Sequence, residues 1–233
     1  MDSLIQTLAI YAIPVIFAIT LHEAAHGYVA RHFGDPTAWQ LGRITLNPVK
    51  HIDLVGTIIV PTMILIASKI AGSSGILFGW AKPVPVNFGR LRNPKKDMLW
   101  VAAAGPGANL VMALGWAALL KVSLAMPDNA YGLPLGEMAR AGVNVNAVLM
   151  LLNLLPLPPL DGGRIAVSLL PVKQAMQFAR LEPYGLFILL GLMFTGILGI
   201  ILWPLISVFI GLTALVTGLD ATQLIGLIQL VLS

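Results

Sequence analysis

The chain has 233 residues, 58% hydrophobic and only 10% charged, with a formal net charge of +4 and a mean hydropathy of +0.88. Soluble domains run at about 45–50% apolar and about 25% charged residues, so this composition excludes an ordinary soluble domain, a disordered chain and a nucleic-acid-binding protein. It reads as an all-α polytopic membrane protein, and its 14 Lys and Arg read as orientation signals rather than as a polyanion-binding surface. There are no cysteines, so any metal must be held by His, Asp or Glu.

The first apolar run extends from Leu4 to Ala30. It lacks a basic leading segment and a cleavage site, so it reads as a retained membrane helix rather than a signal peptide. The second run, between Asp53 and Lys69, has 15 uncharged residues with Pro61 in its middle. As a helix it would be roughly 22 Å long, short for a crossing. The Lys69–Asp97 stretch carries six of the fourteen basic residues. Its centre, Leu77 to Gly89, sets clusters of β-branched or aromatic residues among Gly and Pro, which favours short extended strands over a helix. A third run covers Met98 to Leu120, and a fourth lies between Arg140 and Asp161 and ends in Pro156, Pro158 and Pro159. Pro183 to Leu219 is uncharged over 37 residues. One helix of that length would reach about 55 Å, so two segments are expected, broken near Pro204. The apolar residues from Leu224 to Leu232 extend or cap the last helix. In all, five to six transmembrane helices are expected, with a short extended or re-entrant segment around residues 54–90. They form a single membrane-embedded domain over residues 1–233, with a core at about 4–170 and further helices at about 183–232.

The strongest chemical signal is His22-Glu23-Ala24-Ala25-His26. Residues i and i+4 share a helix face, so the two imidazoles can ligate one Zn²⁺, with Glu23 placed as general base. Two imidazoles and a carboxylate inside an apolar helix are costly, which marks a functional site rather than a polar helix contact. A catalytic zinc normally takes three protein ligands. Asp161, stranded after the prolines and followed by Gly162 and Gly163, is the third candidate; the competing reading makes it the cap of the next helix.

These residues resemble the site-2 proteases, the family of intramembrane zinc metalloproteases. The likeness rests on His22–His26 and on the Asn153…Leu160-Asp161-Gly162 segment. Phe78–Asn87, Ala104–Asn109 and His51–Thr57 add to it and resemble the compact prokaryotic type without PDZ or CBS modules. It covers roughly residues 15 to 170. The resemblance implies His22, His26 and Asp161 as ligands of one Zn²⁺ per chain, Glu23 as general base and Asn153 as an oxyanion donor. Asn109 reads as a packing or capping residue outside the site, and His51 either as a group behind the ligands or, more commonly for a loop histidine, as a solvated one. The implied activity is endopeptidase cleavage in or near transmembrane segments of membrane proteins, as in regulated intramembrane proteolysis. A metal-ion transporter or channel using the same His/Asp cluster is the alternative. The implied partners are the lipid bilayer, a transmembrane protein or peptide substrate, and a homo-oligomer or regulatory membrane protein.

His26 and Asp161 must share one membrane depth, so one intervening segment must fail to cross. The Pro-broken run at 54–68 is the candidate, returning through residues 78–87. An outside N-terminus then puts nearly all basic residues inside, in a multi-pass cell-membrane topology with the site toward the cytoplasm.

Overall fold

The computed structural model describes residues 2–60, 62, 63, 66, 79–126 and 129–225. Four longer helices organise it. Helix α1 spans Asp2–His32, a four-residue helix α2 follows at Thr37–Gln40, and α3 spans Pro94–Leu124. Helix α4 spans Gly132–Asn153, α5 Asp161–Leu169 and α6 Val172–Ala179. Helices α7 (Glu182–Phe194), α8 (Ile197–Thr217) and α9 (Ala221–Ile225) complete the described chain.

The bundle closes through small residues, which let membrane helices approach where lipid supplies no hydrophobic drive. Ala113 and Ala117 of α3 and Ala139 and Ala147 of α4 are fully buried, joined by Leu202, Ile206 and Ile210 of α8. A Cβ on Gly142 would sit 2.2 Å from the Trp116 ring, so α4 needs glycine there to meet α3. On α1, Ala18, His22, His26 and Ala30 recur every four residues and form one buried face. That spacing turns both imidazoles toward α3.

Among the described residues, three helices are long and apolar enough to cross a membrane: Ala9–His32 within α1, α3 and α8. They account for three of the five or six crossings expected, and the others are not confirmed by length and composition among these residues. Helix α4 has the length, 22 residues, but carries Glu137, Arg140, Asn144 and Asn146. Helix α7 has only 13 residues, about 20 Å. The expected break at Pro204 also moves. Gly196, at φ +75°, ends α7 and starts α8, while Pro204 lies inside α8. Only glycine takes that backbone cheaply, whereas membrane helices absorb an internal proline.

Residues 54–59 form one wide π-type turn, capped by the Asp53 carboxylate on the Gly56 N–H. The chain then returns to its starting point. Trp80 N–H donates to the Gly56 carbonyl at 3.0 Å, and Lys82 N–H donates to the His51 carbonyl at 2.9 Å. The flanks of the expected re-entrant segment thus lie side by side; most of residues 61–78, and the part of Leu224–Leu232 beyond Ile225, lie outside the described residues. The expected strands do not form among the described residues. Pro83 and Pro85 have no N–H, so one edge of 81–87 lacks the donors a ladder needs.

Candidate metal centre and catalytic cavity

The helical spacing of His22 and His26 brings their Nε2 atoms to 3.1 Å from each other. Asp161, the first residue of α5, completes the group. Its Oδ2 lies 3.2 Å from His22 Nε2 and 3.4 Å from His26 Nε2. The following glycines make this placement possible. A Cβ on Gly162 would stand 2.2 Å from the Leu154 carbonyl, and one on Gly163 would stand 2.4 Å from Pro158 N. The Pro-rich turn thus folds tightly over the start of α5 and aims the carboxylate inward. Asp161 caps nothing: no side-chain bond stabilises the start of α5.

The chemistry of these atoms calls for a cation. The Val101 carbonyl can only accept, so His26 Nδ1, 2.7 Å away, carries the hydrogen and Nε2 presents a lone pair. His22 Nδ1 lies 2.5 Å from Asn109 Oδ1, which leaves its Nε2 in the same state. Asp161 Oδ2 is buried with no hydrogen-bond partner. Three lone-pair atoms thus converge in a site where each residue is less than 9% exposed. Unpaired acceptors in such burial are costly unless they share a positive charge. Their separations of 3.1, 3.2 and 3.4 Å suit one small ion. Zinc with bonds of about 2.0–2.1 Å in a tetrahedron places its ligand atoms about 3.3 Å apart. The three residues therefore fit a zinc ion, with the fourth corner left for water or substrate.

Helix α3 roofs this centre. A Cβ on Gly105 would fall 2.4 Å from His26 Nε2 and 2.5 Å from His22 Nε2. Pro106 next to it has no N–H for the Ala102 carbonyl, which loosens the turn that presents the Val101 carbonyl to His26.

A cavity of about 470 Å³ opens beside the three residues. It is lined by Glu23, Val84, Asn153 and Arg164, among others, so every residue expected in the site reaches one space. Glu23 Oε2 accepts from the Val84 N–H at 2.7 Å, which ties the returning segment to the candidate base. Asn153 is partly buried, and its Nδ2 donates at 2.9 Å to the Leu149 carbonyl of its own helix. Arg164, one turn beyond Asp161, packs over the Phe88 ring at 5.4 Å. Buried Asp35 accepts from the Asn87 N–H and from Thr37, pinning the far end of residues 79–87 to the end of α1.

Two residues depart from their expected roles. Asn109 is fully buried and bonds a zinc-ligand candidate, so it belongs to the site rather than to packing. Its one sequence signal was position: it follows Gly105-Pro106-Gly107, a stretch that only a close approach would require. His51 is 2% exposed rather than solvated, with Nε2 at 2.9 Å from the Thr45 carbonyl. It stabilises the loop and is not among the residues lining the cavity.

Two curated relatives share most of this chain. A Bacillus subtilis (strain 168) protein named "Putative zinc metalloprotease YwhC" is 39% identical over 204 residues, 84% of each chain. A Mycolicibacterium smegmatis protein named "Putative zinc metalloprotease Rip2" is 30% identical over 181 residues, 77% of this chain and 64% of its own length. No family model and no solved structure matches the chain.

Proposed function

The chain belongs to the zinc metalloprotease family of these relatives, and on that premise we propose that it is an intramembrane endopeptidase of the site-2 protease type. The observation that carries this reading is the convergence of His22, His26 and Asp161 inside a membrane-spanning bundle, with Glu23 in the same cavity. In this reading residues 1–233 act as one membrane-embedded unit in the cell membrane, crossed several times, with the site toward the cytoplasm. The substrate is a transmembrane segment of another protein.

His22, His26 and Asp161 would hold zinc, which supplies a Lewis acid for the scissile carbonyl and acidifies water. Glu23 takes the proton from the attacking water and returns it to the leaving amine. Val84 N–H holds Oε2, which leaves Oε1 without that bond and open toward the cavity as the proton acceptor in this reading. Asn153 would serve the oxyanion by turning its amide from the Leu149 carbonyl toward substrate. The unwound substrate would lie along residues 79–87. There Pro83 and Pro85 offer no N–H, and the N–H groups of Trp80, Lys82, Val84 and Asn87 are already bonded. The carbonyls of Trp80, Lys82 and Pro83 also accept from Thr57 and Arg43, so the segment would meet substrate through its remaining main-chain groups, not by a continuous two-way ladder.

The purified chain in detergent should contain about one zinc and cut a generic transmembrane substrate, losing both on chelation and recovering both on zinc addition. A chain that binds no zinc would overturn the ligand set. Zinc flux across vesicles without cleavage would favour the transporter, which the relatives' names and the placement of Glu23 do not.

Val84→Pro tests the tie to Glu23. It removes the N–H held by Oε2 while keeping an extended backbone. Zinc content should not change, and cleavage should fall about tenfold to a hundredfold, the cost of a base displaced by roughly 1 Å. Unchanged turnover would show that the contact does not position Glu23.

A further inference from the structure

Behind His22 lies a row of amides that neither zinc binding nor proton transfer uses directly. Asn146 Nδ2 donates to the Gly142 carbonyl at 2.8 Å. That carbonyl can only accept, so the orientation of the Asn146 amide is fixed and its Oδ1 points away. Oδ1 in turn accepts from Asn109 Nδ2 at 2.8 Å, and the same Nδ2 lies 3.3 Å from the Ala18 carbonyl. With its nitrogen facing two acceptors, Asn109 must present Oδ1 to His22 Nδ1 at 2.5 Å. The hydrogen of His22 is therefore on Nδ1, and the lone pair is on Nε2 beside His26 and Asp161. Both asparagines are fully buried, so no water can substitute for a missing link.

We propose that Asn146 is a positioning residue that acts through Asn109 to fix the tautomer and ring orientation of His22, and so sets the metal affinity of a site it does not touch. The direction of each bond in the row follows from a backbone carbonyl on α4, a helix that supplies none of the three ligand candidates. Removing Asn146 takes away the shorter of the two bonds that orient the Asn109 amide and leaves only the 3.3 Å contact with the Ala18 carbonyl; the amide can then turn over, and an N–H would face His22 Nδ1. The neutral ring would respond by moving its hydrogen to Nε2, where it blocks ligation. Groups that orient a metal-bound histidine typically change affinity by about ten- to a hundredfold. The inference rests on the zinc reading above.

The test measures Zn²⁺ affinity by competition with a chromophoric chelator, and the visible spectrum of the Co²⁺-loaded chain, in detergent. Asn146→Leu should weaken binding about ten- to a hundredfold and alter the cobalt spectrum. Asn146→Asp, a neutral acid at this depth, keeps both an acceptor for Asn109 and a donor for Gly142. It should stay within about threefold of wild type, a much smaller change than a lost orienting group produces. Since the relay passes through Asn109, Asn146→Leu should add no further loss in an Asn109→Leu background. Asn146→Ala replaces the leucine variant where that one does not fold. Wild-type affinity and spectrum in the leucine or alanine variant would overturn the relay, as would a fully additive loss in the double variant. A wild-type chain that takes up neither metal would overturn the zinc reading itself and the relay with it.

Discussion

Glu23→Gln is expected to keep about one zinc per chain and to lose cleavage by about a thousandfold, within the range for removing a general base. The substitution is nearly isosteric. Its amide oxygen still accepts from the Val84 N–H, so the returning segment stays tied to α1. Glu23 is also not one of the three converging ligand residues, so metal content should not depend on it. What glutamine cannot do is take a proton from water. Metal analysis and gel-based cleavage of a transmembrane substrate, on the same preparation, check both halves. Cleavage within tenfold of wild type would move the base elsewhere. Parallel loss of zinc would make Glu23 part of the metal site. A transporter would tolerate the change, so the same variant separates the two readings.

The parts of the site legible in the sequence were those where one residue type is expensive in its surroundings. Two imidazoles and a carboxylate within an apolar run, and an aspartate after three prolines, stand out because lipid tolerates neither without a purpose. The i, i+4 spacing on α1 needed no tertiary information. What stayed hidden depends on partners distant in the chain. Asn109 meets His22 from 87 residues away, and an asparagine in a membrane helix has several uses that sequence cannot rank. The burial of His51 comes with its contacts to the Thr45 carbonyl and to the Lys82 N–H, pairings that the residue types do not announce. The number of crossings is not settled by apolar runs alone, because α4 has the length of a span but carries Glu137, Arg140 and three asparagines. The break after Phe194 was placed at a proline because proline is the stronger local signal. The fold used Gly196, where only a positive φ lets the chain turn.

Gly105→Ala should produce the most selective loss of metal. In a helix interior, alanine for glycine ordinarily stabilises by about 0.5–1 kcal/mol. Here the new methyl would lie 2.4 Å from His26 Nε2 and 2.5 Å from His22 Nε2, on the atoms that would bind zinc. The atoms in its way are ring edges rather than backbone, so α3 can remain in place while the imidazoles move. They are held at their far sides by the Val101 carbonyl and by Asn109, so moving them also breaks those bonds. The variant should therefore fold, with a thermal transition in detergent within a few degrees of the zinc-free wild type. It should bind zinc at least about a hundredfold more weakly, as expected when ligand orientation is lost, and cleave nothing. The comparison with zinc-free protein matters, because bound metal itself raises the transition. A variant that melts far below that reference would mean that the methyl displaces α3 instead of the rings. One that binds zinc as wild type does would mean that α3 stands further from the metal centre than the close approach at Gly105 implies. The contrast with Glu23→Gln is what gives the pair its force: one removes proton transfer and leaves the metal, the other removes the metal and leaves Glu23 in its place.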